Sequence, residues 1–141
     1  MDKIYRFKVY FISGHRNITE EEFNNNYAKA LDKASKELCD FVVGDYYGVD
    51  IMAQNYLVDV LSVNPDRITV YHMFDKPRNI NPKIKNTKGG FKTDEERDAA
   101  MTEASDEDIA FIRDIDKWSG TKENVLRRYK PEKILKQHQL K

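Results

Sequence analysis

The sequence predicts an α/β fold: one Rossmann-like domain whose mainly parallel sheet of about four or five strands is flanked by helices. Short runs of β-branched and aromatic residues alternate along the chain with longer stretches in which apolar residues recur at helical spacing. Strands that alternate with helices are joined by βαβ crossovers, which make the strands parallel and cover both faces of the sheet. The length of 141 residues fits a single domain over 1–141.

The first half of the chain predicts two strand-helix units. Residues 5–12 form an aromatic and β-branched run that ends at Ser13-Gly14, which is typical of a buried strand and a turn. Thr19 and Glu22 then form a capping box at the start of a helix. The apolar face of that helix is expected to hold Phe23, Tyr27, Ala30, Ala34 and Leu38. Residues 41–43 predict a second strand that ends at Gly44, and a second helix follows with apolar positions at Val49, Ala53, Leu57 and Val60.

The second half predicts a third strand over 67–73 and a long basic loop over 74–92, which contains Pro77, Pro82 and Gly89-Gly90. Thr93 and Glu96 offer another capping box for a helix through Ala104. A fourth strand is expected over 109–112 and a further helix over 125–129. Pro131 would stop or kink that helix, and residues 130–141 are expected to form a helical tail.

Composition narrows the classes of function. Lys plus Arg and Asp plus Glu both number 24, so no overall charge draws the chain to nucleic acid or to an anionic membrane. Cys39 is the one cysteine, which excludes an intramolecular disulfide framework. No leader and no apolar run of membrane-spanning length is evident, so we expect a cytoplasmic location and no membrane partner. Cysteine and three scattered histidines give no metal-ligand spacing, so no metal site and no cofactor is predicted.

Three turns after predicted strands have the composition of a ligand site. Glycine permits a close approach of the backbone, and serine and threonine hydroxyl groups either bind phosphate or cap the following helix. The candidate binding residues in and after these turns are Ser13, Gly14, Arg16, Gly44, Gly48, Asp50, Ser119, Gly120 and Thr121. Tyr46, Tyr47 and Trp118 are either exposed turn residues or stacking surfaces for a nucleobase. The basic segment 74–92 is either a solvated surface or a loop over an anionic ligand.

Two motifs carry a resemblance to a known superfamily. The pattern Gly44-x-x-x-Gly48-Val49-Asp50-x-x-Ala53-x-x-x-Leu57 is similar to the glycine turn of the DprA proteins. The pattern Arg97-x-x-x-Met101-x-x-x-Ser105-Asp106, followed by Gly120-Thr121, resembles the LOG nucleotide phosphoribohydrolases. Together they resemble the SLOG superfamily over about residues 5–128.

The resemblance implies a site for a nucleotide or a nucleotide-derived ligand. Ser13, Gly14, Gly120 and Thr121 would hold phosphate, Arg16 and Arg97 would neutralise it, and Asp50 and Asn124 would recognise the sugar or base. The basic segment 74–92 would close over the anion. Members of the superfamily commonly pair through helices, so a homodimer is an option.

A departure from the enzyme pattern decides between binding and turnover. Arg97 matches the family arginine, but Asn124 stands where the enzymes have a catalytic glutamate, and an amide supplies neither a carboxylate nor a base. We therefore expect a sensor or sequestering protein. The first alternative is an N-glycosidase, of phosphoribohydrolase or deoxyribosyltransferase type, that acts on nucleoside monophosphates through Arg97 and Glu123. The second alternative is single-stranded nucleic-acid binding, which the zero net charge disfavours.

Overall fold

The computed structural model describes residues 7–129, and its centre is one sheet of five parallel strands. The strands are β1 (Lys8–Ser13), β2 (Cys39–Val43), β3 (Ile68–Met73), β4 (Asn86–Phe91) and β5 (Glu107–Ala110). Their spatial order is β4-β3-β2-β1-β5, and every neighbouring pair is parallel. The predicted α/β class, with its parallel sheet flanked by helices, is confirmed. The predicted tail over 130–141 lies outside the described residues.

Four helical segments connect and cover the strands. Helix α1 runs through Glu20–Phe23, a π-helical turn over Asn24–Ala28 and Lys29–Ser35, and α2 runs through Val49–Asn55 and a π-helical turn over Tyr56–Val60. A short 3-10 helix, Pro65–Arg67, precedes β3; α3 is Asp94–Ala104 and α4 is Gly120–Tyr129. No helix within residues 7–129 is both long enough and apolar enough to cross a membrane.

The capping box predicted at the start of α1 is present. The side-chain oxygen of Thr19 accepts a hydrogen bond from the N–H of Glu22 over 3.0 Å, and the Glu22 carboxylate accepts one from the N–H of Thr19 over 3.3 Å. These two bonds satisfy N–H groups that have no acceptor within the helix. At α3 the side chain of Thr93 accepts from the N–H of Glu96, which is one of the two hydrogen bonds of the predicted capping box; among residues 7–129 the reciprocal bond from the Thr93 N–H to the Glu96 side chain is not found.

The core has two layers because the sheet is covered on both faces. The larger layer packs α1 and α2 against alternate strand residues, and it includes Ile12, Phe41, Val43, Ile68 and Val70. The smaller layer lies on the opposite face and consists of Phe11, Val42, Tyr71 and Met101, the last from α3. Strand residues alternate between these two layers, as the pleat of a strand requires.

The buried face of α1 differs from the predicted one after its π-helical turn. Phe23, Tyr27 and Ala34 are buried as expected, but Leu31 is buried in place of Ala30. Leu38 is 79% exposed because the helix ends at Ser35. A π-helical turn spaces residues more widely than an α-helix, so a pattern counted at α-helical spacing points to the wrong residue beyond it.

The prediction of a loop over 74–92 is wrong for Asn86–Phe91, which form the edge strand β4. Two glycines explain why the sequence of this strand resembles that of a loop. A Cβ at Gly89 would collide with the ring of His72 in β3, and Gly90 has a φ of +91°. The pairing of β3 with β4 shifts register between Tyr71 and Met73, next to these glycines. Glycine is therefore used here for close strand packing and a bulge, although in sequence it resembles a turn.

The topology places a crevice at one end of the sheet. From β1 the chain adds β2, β3 and β4 in one direction, and α3 then carries it back so that β5 pairs with the other side of β1. The connections after β1 and β5 therefore diverge to opposite sides at the carboxyl ends of the strands. Such a switch point is where open α/β sheets bind ligands.

Candidate functional site

A cleft of about 780 Å³ lies at this switch point. It is bounded by the end of β1 and the residues that follow it, the turn before α2, one side of α3 and the segment from Trp118 into α4. Ten of the predicted site residues line it: Ser13, Gly14, Arg16, Asp50, Arg97, Ser119, Gly120, Thr121, Glu123 and Asn124. The structure thus brings together three turns that are far apart in sequence.

Gly44 and Gly48 shape the cleft from behind its wall. A Cβ built on Gly44 would lie 2.5 Å from a carboxylate oxygen of Asp50 and 3.0 Å from the Arg97 guanidinium carbon. Gly48 has a φ of +82°, and a Cβ there would lie 2.5 Å from the carbonyl oxygen of His15. Both positions therefore exclude a side chain, and glycine lets the turn approach the cleft residues closely.

Ser13 contributes a hydroxyl group that has no protein partner. Its side chain is 5% exposed, it lines the cleft, and its Oγ is one of two buried side-chain atoms without a hydrogen bond within residues 7–129. Leaving a buried hydroxyl group without a partner costs free energy, so native structures rarely do so without a reason. A ligand in the cleft would supply the missing partner.

The start of α4 faces the same cleft. The hydroxyl oxygen of Ser119 accepts from the N–H of Lys122 over 3.1 Å, so Ser119 caps the helix. The N–H groups of Gly120 and Thr121, in the first turn, have no acceptor within an α-helix. A Cβ on Gly120 would meet nothing within 4 Å, so packing does not require glycine there. Positive charge from the helix dipole adds to these free donors, a combination that suits an anion.

Arg97 lies under the cleft among three carboxylates. Its Nη1 donates to Asp45 over 2.7 Å and lies 3.1 Å from Asp94, and its Nη2 donates to Asp98 over 2.9 Å. The Nε also donates to Asp98, over 3.1 Å. The guanidinium group therefore donates three hydrogen bonds to protein carboxylates and forms an ion pair with a third carboxylate, although the sequence predicts that Arg97 neutralises a phosphate.

Asp45 is the most enclosed of these carboxylates and is shared by two arginines. It is fully buried and accepts from the backbone N–H of Arg78 over 2.9 Å, as well as from the Arg78 guanidinium. Burial acts to raise the pKa of Asp45, but hydrogen bonds from Arg78 and the charge of Arg97 outweigh it and hold that pKa below its usual value. Asp45 therefore stays ionised and ties α3 to the segment after β3.

The two helix residues that decide the enzymatic interpretation occupy different environments. Asn124 is buried; its amide nitrogen donates to Asp98 over 3.2 Å and its oxygen accepts from Arg127 over 2.7 Å. Glu123 lies toward the rim, where its carboxylate accepts from the indole N–H of Trp118 over 3.0 Å. Both residues line the cleft, so a carboxylate is present one position before the one the enzyme pattern requires.

Arg16, Tyr46 and Tyr47 form one wall of the cleft, and Arg78 contacts Tyr46 without lining the cleft. The guanidinium groups of Arg16 and Arg78 lie 4.1 Å and 4.5 Å from the ring centre of Tyr46, and the ring of Tyr47 lies 4.6 Å from that of Tyr46. Arg16 and Tyr47 are exposed and line the cleft. Cation–π contacts thus hold Arg16 at the cleft without an ion pair to a described residue.

His15 also lines the cleft and is held neutral. Its Nε2 accepts a hydrogen bond from the backbone N–H of Arg113 over 3.3 Å. Burial lowers the pKa of His15, and the positive charge of Arg113 lowers it further. With Nε2 accepting, the ring proton is on Nδ1.

The basic segment does not cover the cleft. None of residues 74–92 lines it. Arg78 acts on the site indirectly through Asp45, Lys83 lies 3.8 Å from Asp59, and the Lys85 ammonium donates to the carbonyl oxygen of Pro82. In this structure the segment lies away from the cleft, and Asn86–Phe91 within it pair with β3. That it closes over a bound anion stays a prediction.

Sequence reasoning missed the acidic residues that surround Arg97. Asp45, Asp94 and Asp98 belong to no motif. Asp94 and Asp98 pair with Arg97 within α3, and Asp45 joins them because α3 packs near the end of β2. A weak signal was present, because Asp45 directly follows Gly44 and Asp98 directly follows Arg97. Within residues 7–129, no group of three or more histidine, cysteine or acidic side chains is arranged to hold a metal ion.

The fold and the cleft define the class of protein as a single-sheet α/β protein with a site at its switch point. No model of a protein family matches the chain, and neither a curated protein nor a solved structure matches it.

Proposed function

We propose that this protein binds a nucleotide or a nucleotide-derived ligand in the cleft, and that it acts as a sensor or sequestering protein. The observation that carries the proposal is the Ser13 hydroxyl group, which is buried and lacks a partner, in a residue that lines the cleft together with the first turn of α4. A phosphate group offers several acceptor oxygens to such donors. The resemblance of the glycine and arginine motifs to the SLOG superfamily supports the same ligand class.

The charges of the cleft favour a ligand with few phosphates. Arg16 and Arg127 are the cations at the surface of the cleft, since the buried Arg97 is surrounded by carboxylates. Glu95, Glu123 and Asp98 line the cleft as well. A second or third phosphate would have to lie close to this negative charge. Tyr47 and Trp118, both exposed at the cleft, offer stacking surfaces for a base.

Thermal unfolding in the presence of nucleotides tests the proposal. The panel holds nucleoside mono-, di- and triphosphates, cyclic nucleotides, ADP-ribose and nucleosides. A nucleotide present at about 100 times its dissociation constant stabilises the fold by about 2.7 kcal/mol. We expect the largest shift from ligands with one phosphate and no shift from inorganic phosphate at the same concentration. Absence of a shift with every nucleotide would refute the proposal.

A pair of variants locates the binding site. Ser13→Ala removes the unpartnered hydroxyl group in the cleft, and Thr102→Val removes the other unpartnered buried hydroxyl group, which lies on α3 and does not line the cleft. Neither change breaks a side-chain hydrogen bond, so both free proteins are expected to be as stable as the parent. Only Ser13→Ala is expected to weaken nucleotide binding, by about tenfold for one charge-assisted hydrogen bond. Equal affinities of the two variants would place the phosphate elsewhere.

Hydrolysis of the N-glycosidic bond is a second candidate function, and the position of Glu123 favours it. The Glu123 carboxylate lines the same cleft as Arg97 and is oriented by the Trp118 indole. An N-glycosidase would release a free base from a nucleoside monophosphate. Chromatography of each nucleotide after incubation with the protein tests for that base. Activity that disappears in Glu123→Gln would establish an enzyme, whereas intact nucleotide after prolonged incubation supports binding alone.

A further inference from the structure

Asp50 is a buried carboxyl group in the wall of the cleft. It lies in the first turn of α2, it is 8% exposed, and it lines the cleft. Its Oδ2 accepts a hydrogen bond from the backbone N–H of Tyr46 over 3.1 Å. Within residues 7–129 no side chain donates a hydrogen bond to this carboxyl group, which distinguishes it from Asp45, the other buried acid of the site.

The cluster around Asp50 contains more carboxylates than cations. Asp45, Asp94 and Asp98 already share the guanidinium groups of Arg97 and Arg78. Asp50 is a further acid beside Arg97, and neither of the two guanidinium groups donates a hydrogen bond to it. A buried carboxylate without a cationic donor is costly, and keeping its proton removes that cost.

The groups that face Asp50 shift its pKa in opposite directions, and burial has the largest effect on that pKa. Burial raises the pKa of Asp50 to about 7, and the negative charges of Asp98 and Asp45 add to that rise. The charge of Arg97 and the N–H of Tyr46 act against it, as does the positive end of α2. Tyr27 of α1 also faces Asp50 and is uncharged, because burial raises the pKa of its hydroxyl group.

We propose that Asp50 carries a proton in a substantial fraction of the free protein at neutral pH and donates it, in a hydrogen bond, to an acceptor atom on the nucleobase. The inference rests on the proposed function, since it names the side chain of the same cleft that recognises the base. A carboxylic acid donates as well as accepts, whereas a carboxylate only accepts. The cleft would therefore prefer a base that presents a ring nitrogen or a carbonyl oxygen toward α2, and binding would weaken as Asp50 ionises.

Calorimetric titration with AMP, GMP, CMP and UMP between about pH 6 and pH 8.5 tests this recognition. For the parent protein we expect the Kd to rise by about tenfold for each pH unit above the pKa of Asp50. In Asp50→Asn the amide donates at every pH, so the rise should disappear. The second ionisation of the nucleotide phosphate, at about pH 6, affects both proteins alike. An equal pH trend in the two proteins, or tighter binding by the parent at high pH, would overturn the proposal.

A measurement on the free protein separates this inference from the proposed function. An acid whose pKa is higher in the folded state loses stability as the pH rises from its ordinary pKa toward the folded value. The urea midpoint of Asp50→Asn relative to that of the parent should therefore rise between about pH 4 and pH 7 and level off above that. Asp32→Asn, an exposed acid paired with Lys36, is the matched control and should show no such growth.

The two results have distinct meanings. If the difference in urea midpoint does not grow with pH, Asp50 is ionised in the free protein and the inference is wrong, whichever nucleotides bind. If the difference grows but none of the four monophosphates binds, the recognition role fails together with nucleoside monophosphates as the ligand, while the protonated state of Asp50 stands. Growth of the difference together with pH-dependent binding supports both proposals.

Discussion

The hydroxyl group of Tyr27 donates a hydrogen bond to the carbonyl oxygen of Ser13 over 2.7 Å. The same oxygen atom of Tyr27 accepts one from the backbone N–H of Phe111 over 3.0 Å. Ser13 ends β1 and Phe111 directly follows β5, so one buried side chain from α1 joins the two strand ends that flank the crevice. Gly14 makes room for it, since a Cβ there would collide with the Tyr27 hydroxyl group.

Tyr27→Phe should lower the free energy of unfolding by about 1–3 kcal/mol, because it leaves a buried carbonyl group and an N–H group without their partner. Urea denaturation measures the change. Tyr56→Phe is the control: Tyr56 packs against Phe23, and its hydroxyl group makes no hydrogen bond to the described residues. Its effect should be within about 0.5 kcal/mol. If the two variants are equally stable, the link between the strand ends contributes nothing.

Gly48→Ala should destabilise the protein more than Gly90→Ala. Both glycines have a positive φ, +82° and +91°, so either substitution costs about 1–2 kcal/mol of backbone strain. Only at Gly48 does the added Cβ also meet backbone, at the carbonyl oxygen of His15; at Gly90 it meets nothing within 4 Å. Thermal unfolding of the two variants gives the order. A smaller loss of stability for Gly48→Ala than for Gly90→Ala would contradict the close approach of Gly48 to the backbone of His15.

Arg78→Met should make the protein more sensitive to acid. Asp45 has a lowered pKa in the folded protein, so its contribution to stability is present above its ordinary pKa of 3.8 and is lost as the pH falls through the folded value. Without Arg78 that pKa rises, because burial is then opposed by Arg97 alone. Acid unfolding should begin at a higher pH, and stability at neutral pH should fall by about 2 kcal/mol.

The control for Arg78→Met is Lys36→Met, which breaks an ion pair between two exposed side chains. Lys36 is 75% exposed and lies 3.4 Å from Asp32. Pairs of this kind contribute little, so its acid unfolding curve should match that of the parent. Circular dichroism as a function of pH compares the three proteins. Coincident acid unfolding curves for all of them would contradict the stabilisation of ionised Asp45 by Arg78.

Arg67→Lys should destabilise the junction between α1 and β2. The Arg67 guanidinium donates to the carbonyl oxygens of Cys39, Ser35 and Glu37 over 2.9, 3.2 and 3.1 Å. A lysine ammonium keeps the charge but cannot reach three carbonyl groups with one planar fork. We expect a loss of about 1–3 kcal/mol in urea denaturation. Arg113 is more than one third exposed, so Arg113→Lys should lower the free energy of unfolding by less than Arg67→Lys does. A larger decrease for Arg113→Lys would contradict the role given to Arg67.

The periodicity of the sequence was sufficient to predict the fold class, because buried parallel strands and amphipathic helices have distinct spacings. It was insufficient for β4, whose residues are almost all exposed and whose glycines serve packing against His72. It was also insufficient within α1, where the π-helical turn changes which residues face the core. Both failures occur where tertiary packing selects a local geometry that the side chains alone do not favour.

The sequence predicted only part of the candidate site, because part of the site depends on contacts between residues that are distant in sequence. Glycine and hydroxyl-containing turns after strands are visible in sequence, and their convergence follows from the parallel topology. Of the acids around Arg97, Asp94 and Asp98 lie at local spacing on α3, where an ion pair does not by itself indicate a site. Asp45 was not predicted because it reaches Arg97 across 52 positions. Spacing rules apply within a helix or strand and carry no information at that separation.

Trp118 gives the protein a natural optical reporter. It is the one tryptophan in the chain, it lies at the cleft, and its indole N–H is bonded to Glu123. Indole emission depends on the polarity and hydrogen bonding around the ring, so a molecule that stacks on Trp118 or draws Glu123 away changes the intensity and wavelength of the fluorescence. Occupancy of the cleft can therefore be followed in unlabelled protein, in real time, and the rates of association and release become measurable by stopped-flow mixing.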